Sequence, residues 1–416
     1  MTRASLRWSS LREQLRTSLW PTPVGVTVAC AGAALGLARL DHQLSSDFAA
    51  WYSYGGRAAG ARELLSTIAS SMLAIAGLVF SITILVLQLA SSQFSPRVLR
   101  TFLQDTVTQW AMGMFLGSFV YALVLLPEVR SESPGGPDFV PGIAIFGAFI
   151  LALSSIAFFV RYIHHMAHSI RASTIVARVA RETHESIQRL YPEGVLEGAT
   201  ASGKLPTEPP TRIVRNSAEA GVVIDVDVEA LMRVAVERDL VIAVLQHPGD
   251  FVPLGAPMVH LWGACDVADA EAERWVVLAQ ERTPHQDVAF GFRQLVDIAA
   301  RALSPGINDP TTAVQVIDRL HDLLRSLVQR DIPQPARVDG GGRLRLVLPR
   351  PDFADYLQLS FEEIRLYGAS SVQVTRRVRA ALRDLATVAN ADRTRMLERE
   401  EALFERAAAL EAHSSA

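Results

Sequence analysis

Residues 64–90 read LLSTIASSMLAIAGLVFSITILVLQLA, a run without Asp, Glu, Lys, Arg or His. A helix needs roughly 20 mainly apolar residues to cross ~30 Å of hydrocarbon. This run exceeds that length, so it predicts a membrane span that tilts or extends into water. Working outward, three further stretches have comparable character: 24–40, 110–126 and 141–163. Together they predict a four-helix transmembrane region over 1–163. The stretch 24–40 follows a leader carrying Arg3, Arg7, Arg12 and Arg16. A cleaved signal peptide is the alternative there, but the leader is long and no clean cleavage site follows, so a retained anchor is expected.

Beyond residue 163 the composition changes. The chain as a whole has 416 residues, is 50% hydrophobic and 20% charged, and carries a net charge of −3. Most of the charge lies in the second part, which predicts an α+β domain in water. A net charge this small provides no basic field for a nucleic-acid backbone, so nucleic acid is not an expected partner. Lys204 is the only lysine, which leaves Schiff-base and tethered-cofactor chemistry with one poorly placed group. Cys30 and Cys265 sit in unlike surroundings, an apolar stretch and the polar part, so no disulfide framework is expected.

Arginines in short flanks set the orientation. The leader, the 91–109 loop (Arg97, Arg100) and the exit of the fourth stretch (Arg161, Arg171) outweigh the other side, which has Arg57, Arg62 and Arg130. Both termini are expected in the cytoplasm, with Trp51, Tyr52 and Tyr54 at the outer interface and Trp110 at the inner one. An amphipathic surface helix over 96–106, opened by Ser95-Pro96, is expected to turn the chain into the third span.

The spans at 64–90, 110–126 and 141–163 have no ionisable residue in their middle, which argues against a proton relay or a charged midplane site. What stands out is a stripe of small and weakly polar residues in the second: Thr67, Ser70, Ala74, Gly77, Ser81 and Gln88. Their spacing puts them on one helical face. Such a face lines a pore, or it lets another helix approach closely. Gly113-x-x-x-Gly117 in the third span is the usual pattern for close approach.

In the second part the expected order is a helix leaving the membrane (164–190), a Pro/Gly-rich linker (191–210) and a cytoplasmic α+β domain (211–416). The fourth span is expected to run on unbroken to about residue 190. The domain divides into a β-rich part at about 221–263 and helical parts at about 287–330 and 351–410. Asp225, Asp227 and Glu229 alternate as magnesium ligands do, but Asp227 also suits the cap of a helix over 228–238, the favoured reading. His164 and His168 lie one turn apart with no acidic or thiol partner at helical spacing, so no metal site is assigned. Gly198-Ala-Thr-Ala-Ser-Gly203-Lys204-Leu205 lacks the hydroxyl of a phosphate-binding loop, and Pro206 blocks its helix. Residues 248–258 resemble the glycine-permitted turn of barrel-sandwich domains, without a lysine at the tip.

A helix is expected over 287–303, and Asp309-Pro310 reads as the start of the next, with aspartate as cap and proline at the first turn. Arg301, Asn308 and Asp309 form a possible anion or ligand site at the second helix's N-terminus. The alternative is a rigid joint in which Asp309 itself fills the anion position. After a strand at 343–348, three helices are expected. The last carries Met396, Leu403 and Leu410 seven apart, a stripe for a partner helix or for its own domain. No nucleophile–base set is visible and no cofactor is expected.

Three segments resemble one family: Gly77-Leu-Val-Phe-Ser-Ile-Thr-Ile-Leu-Val-Leu-Gln-Leu-Ala-Ser-Ser-Gln-Phe-Ser-Pro-Arg97, Pro248-Gly249-Asp250-Phe251-Val252 and Ala302-Leu-Ser-Pro-Gly-Ile-Asn-Asp-Pro310. They are similar to the bacterial predicted membrane proteins termed domain of unknown function 2254. The resemblance implies a bacterial inner-membrane location and supplies no reaction. The expected function is an oligomeric channel or passive pathway in which the stripe faces the axis and the second part forms a vestibule. A membrane-anchored sensor or scaffold is the alternative.

Overall fold

In the computed structural model, residues 20–43, 57–93, 105–130, 139–169, 171–191, 205–264, 267–283 and 286–414 are described. The leader arginines, the aromatics at 51–54, most of the helix expected over 96–106, most of the 191–210 linker, Lys204 and Cys265 lie outside the described residues. The chain forms two compact units, Met1–Arg171 and Ala172–Ala416.

The first unit contains α1 (Pro21–Gln43), α2 (Ala58–Gln93), α3 (Thr106–Leu125) and α4 (Gly142–Ser169). All four are long and apolar enough to cross a membrane. At 36 residues α2 is about 54 Å long, well beyond the hydrocarbon thickness. Helix α3 packs against the other three and is the most buried of the four.

Glycine makes this packing close. A Cβ on Gly113 would stand 3.0 Å from Val26 Cβ and 3.2 Å from Pro23 Cα; one on Gly117 would stand 2.8 Å from Cys30 Sγ. The spacing expected to admit a neighbouring helix admits α1. Polar groups inside the bundle meet one another. Ser118 and Ser155 hydroxyls are 2.8 Å apart, Thr83 and Tyr162 2.9 Å apart, and the Tyr121 hydroxyl donates to the Ala144 carbonyl. In a dry interior such pairs remove the cost of unsatisfied hydroxyls. Charged groups sit at helix ends. The Asp41 carboxylate accepts from the Ile143 and Ala144 amides, and Asp105 caps α3 while meeting His165 at 2.9 Å.

The second unit opens with α5 (Ala172–Leu190). The chain does not run as one helix from the fourth span to residue 190: α4 ends at Ser169 and α5 begins at Ala172. The reason lies in their faces. Up to Val160 helix α4 is apolar nearly all round, whereas α5 has one apolar stripe, including Ile175, Val176, Val179 and Ile187, buried within its own unit.

The β-rich part is wider than expected and not continuous in sequence. Strands β1 (Arg212–Arg215), β3 (Val241–Val244) and β5 (Pro257–Trp262) join β7 (Ala336–Val338) and β8 (Leu344–Val347) in a sheet of order β1-β5-β3-β8-β7. The β3–β8 pairing is parallel; the other pairs are antiparallel. A second sheet runs β4 (Phe251–Val252), β2 (Gly221–Val226) and β6 (Val276–Ala279). A parallel partner about a hundred residues away leaves no trace in local alternation, so the range 221–263 captured only the middle of the structure. Helix α6 (Val228–Glu237) covers this core with Leu231 and Ala235.

Helices α7 (Val288–Leu303), α8 (Pro310–Val328), α9 (Phe353–Gly368), α10 (Val372–Ala386) and α11 (Ala391–Ser414) complete the unit. Gly291 on α7 lies against Thr183 on α5, whose Cβ would be 2.8 Å from an added methyl. On α11 the packing face is Leu397, Glu400 and Phe404, turned toward its own unit. The expected stripe lies beside it: Met396 and Leu410 are exposed. Burial of Leu397 and Phe404 sets that face, and the Arg365–Glu400 and Arg383–Glu401 pairs lie along it.

Candidate functional site

The stripe on α2 is the first candidate. Thr67, Ser70, Ala74, Gly77, Ser81 and Gln88 are all exposed. The side facing the other helices is a different one, with Leu65, Ala69, Met72, Ala76, Val79, Thr83 and Val86. At 100° per residue the two sets lie on opposite sides of the helix. No atom comes within 4 Å of a Cβ built on Gly77. The Ser70 and Ser81 hydroxyls donate to the carbonyls of Thr67 and Gly77 in their own helix. Bulky apolar residues, Leu73, Phe80 and Ile84 among them, flank the stripe and are also exposed.

The second candidate was not legible beforehand: a cavity of about 300 Å³ in the α+β unit. One wall is the turn after β3. The His247 amide donates to Asp250 Oδ2 at 2.8 Å, and the Asp250 amide donates back to the His247 carbonyl. Gly249 closes the turn at φ +104°, where an L side chain is strained. It also makes room for Asp287, whose Oδ2 would lie 2.5 Å from an added Cβ. Asp287 is buried, caps α7 through the Phe290 amide and is gripped by Arg282 at 2.7 and 2.9 Å. Burial pushes its carboxyl above the usual range, against the pull of Arg282.

The opposite wall is Pro349-Arg350-Pro351 and the start of α9. A residue before proline is held extended, and Pro349 stiffens the approach, so Arg350 is presented on a rigid segment. Asp352 and Asp355 form a capping box. Behind them the Tyr356 hydroxyl meets that of Tyr191 at 2.8 Å, both buried. Burial first, and Tyr191 second, raise the Tyr356 hydroxyl well above its ordinary value, so it stays protonated. Burial likewise pushes the His247 imidazole down, outweighing the pull of Asp287 and Asp250. The lining thus offers a neutral imidazole, a guanidinium, the turn-held carboxylates of Asp250 and Asp355, and apolar surface from Ala289, the prolines and Leu359. Among the lining residues there is no serine, cysteine or lysine. The signals that marked the site were a histidine just before the Pro-Gly-Asp turn and an arginine between two prolines after a strand.

The other sequence candidates fall elsewhere. Asp309 accepts from the Thr312 amide at 3.0 Å and its hydroxyl at 2.5 Å, filling the helix N-terminus where an anion was considered. Asn308 takes the left-handed φ of +49° that turns the joint, and Arg301 ends α7 with an exposed side chain. Asp227 caps α6 through the Ala230 amide. His168 Nδ1 is taken up by the His164 carbonyl in the preceding turn.

A family model matches residues 16–384. Uncharacterized proteins of Mycobacterium bovis and Mycobacterium tuberculosis are each 35% identical over 373 residues, covering 87% of this chain and 70% of theirs. No solved structure matches the chain. With four apolar helices of membrane-crossing length and a match over most of its length, the chain belongs to the family described as Predicted membrane protein (DUF2254).

Proposed function

We propose that this membrane protein is a homo-oligomeric passive pathway of the bacterial inner membrane, in which several copies turn the α2 stripe toward a common axis. Both termini and the α+β unit lie on the cytoplasmic side, the side that arginine-rich loops favour. One observation carries the reading: among the described residues, the stripe stands on the side of α2 facing away from the other helices. The bundle interior is filled by Phe115, Leu125, Ile145 and Tyr162, which supports a path between copies rather than through one. The hydroxyls bond to their own helix, and the Gln88 side chain, near one end, makes no hydrogen bond among the described residues. Uncharged small residues of this kind suit small, weakly selected solutes or ions. Purified full-length protein in planar bilayers is expected to conduct, with Gly77→Leu or Ser81→Leu reducing the unitary conductance. Silence across salts, voltages and membrane tension contradicts the reading.

A second reading, a membrane-anchored ligand sensor, is favoured by the cavity between His247 and Arg350. Binding rather than catalysis is the activity proposed for it. The two readings are compatible if ligand binding gates the pathway.

A further inference from the structure

We propose that the cavity of the α+β unit binds a small organic anion, a carboxylate or phosphate on a compact apolar body, with Arg350 as the anion's partner. The proposal rests on the reading of this cavity as a ligand site and names what the ligand is. It does not depend on conduction.

Arg350 lines the cavity, is only partly exposed, and makes no hydrogen bond or ion pair among the described residues. A guanidinium carries five N–H donors in a fork matched to carboxylate and phosphate, so a partly desolvated one without an acceptor is costly. Arg337 on β7 lies near enough for the two charges to repel and likewise has no ion-pair partner among the described residues. Burial first, and Arg350 second, hold Arg337 below its ordinary range. Two neighbouring cations, neither ion-paired among the described residues, favour an anion from outside.

The carboxylates facing the cavity do not answer that demand. Asp250 accepts from the His247 amide and Asp355 from the Asp352 amide, each at 2.8 Å and each within its own turn. Asp287, behind the turn, is held by Arg282. The rest of the wall sets the ligand's body. Ala289, Pro349, Pro351 and Leu359 give apolar surface, and about 300 Å³ lies at the small end of ligand pockets. An inorganic ion would leave that surface without contacts. The Pro-Arg-Pro segment holds the guanidinium in place before binding, which lowers the ordering cost.

The test uses the full-length protein in detergent, with isothermal titration against benzoate, phenyl phosphate and the neutral isostere benzamide. Benzoate or phenyl phosphate is expected to bind and benzamide not to, and the preference between the two anions distinguishes a carboxylate from a phosphate ligand. Arg350→Gln is expected to weaken binding about tenfold or more, with partial recovery in Arg350→Lys. Leu359→Trp, which fills the apolar wall, abolishes binding with the guanidinium intact and guards against a misfolded Arg350 variant. Benzamide binding as well as the anions do would keep the ligand site and overturn the anion. Silence of all three probes, or undiminished binding in Arg350→Gln, overturns the proposal; complete silence also removes the sensor reading.

Discussion

Burial at His247 costs the imidazole its charge, and that cost has a definite sign in solution. The folded chain holds His247 below its ordinary 6.5, so the unfolded chain takes up the proton first as pH falls. The stabilising contribution of neutral His247 is therefore present above 6.5 and is lost as pH falls through the lower, folded value, at no more than about 1.4 kcal/mol per pH unit. Asp287 works the other way and in a more acidic window. Its raised carboxyl favours the fold below the ordinary 3.8, and that contribution is lost as pH rises through the folded value. Melting of the full-length protein in detergent between about pH 8 and about pH 5 is expected to show a fall in stability that is shallower in His247→Gln. An identical slope in the variant would remove His247 from the account.

At the scale of elements, glycine decides which helices touch. Gly113 faces Val26 Cβ and the Pro23 backbone, neither of which yields as a long side chain does. Gly113→Leu is expected to destabilise the solubilised protein by about 1–3 kcal/mol, read as a lower melting temperature, through overpacking of the α1–α3 contact. Gly77→Leu, with open space before it, leaves the melting temperature of the dissociated protomer unchanged. Much of this level was legible in the sequence, because spans, caps and turns are local. Apolar length marked the four helices, and Asp227 and Asp309 marked two helix starts. What escaped depends on distant partners. The parallel β3–β8 pairing and the face chosen by α11 follow from contacts between segments far apart in the chain. The cavity escaped for the same reason: its lining residues His247, Ala289 and Arg350 come from three stretches far apart in the chain.

At the scale of the whole molecule, the sequence marked the α2 stripe but left open what it faces. Periodicity groups residues on a face without saying where that face points. In the fold, the side of α2 with Leu65, Met72, Val79 and Val86 packs against the other described helices, and the stripe is left outward between exposed Leu73, Phe80 and Ile84. For one isolated protomer in lipid this arrangement gains little, since lipid packs against leucine as well as against serine. It gains when several copies turn their stripes toward one axis, where small, weakly polar side chains leave room for water.

Cysteine cross-linking in the native membrane tests this most directly, in a Cys30→Ala, Cys265→Ala background. Ser81→Cys and Gly77→Cys are expected to yield covalent dimers on oxidation. Val160→Cys, on an exposed face of α4, and Val79→Cys, buried within the bundle, are expected to stay monomeric. Dimers that form at Val160→Cys as readily as at Ser81→Cys, or at neither, would contradict the claim that copies meet along the α2 stripe.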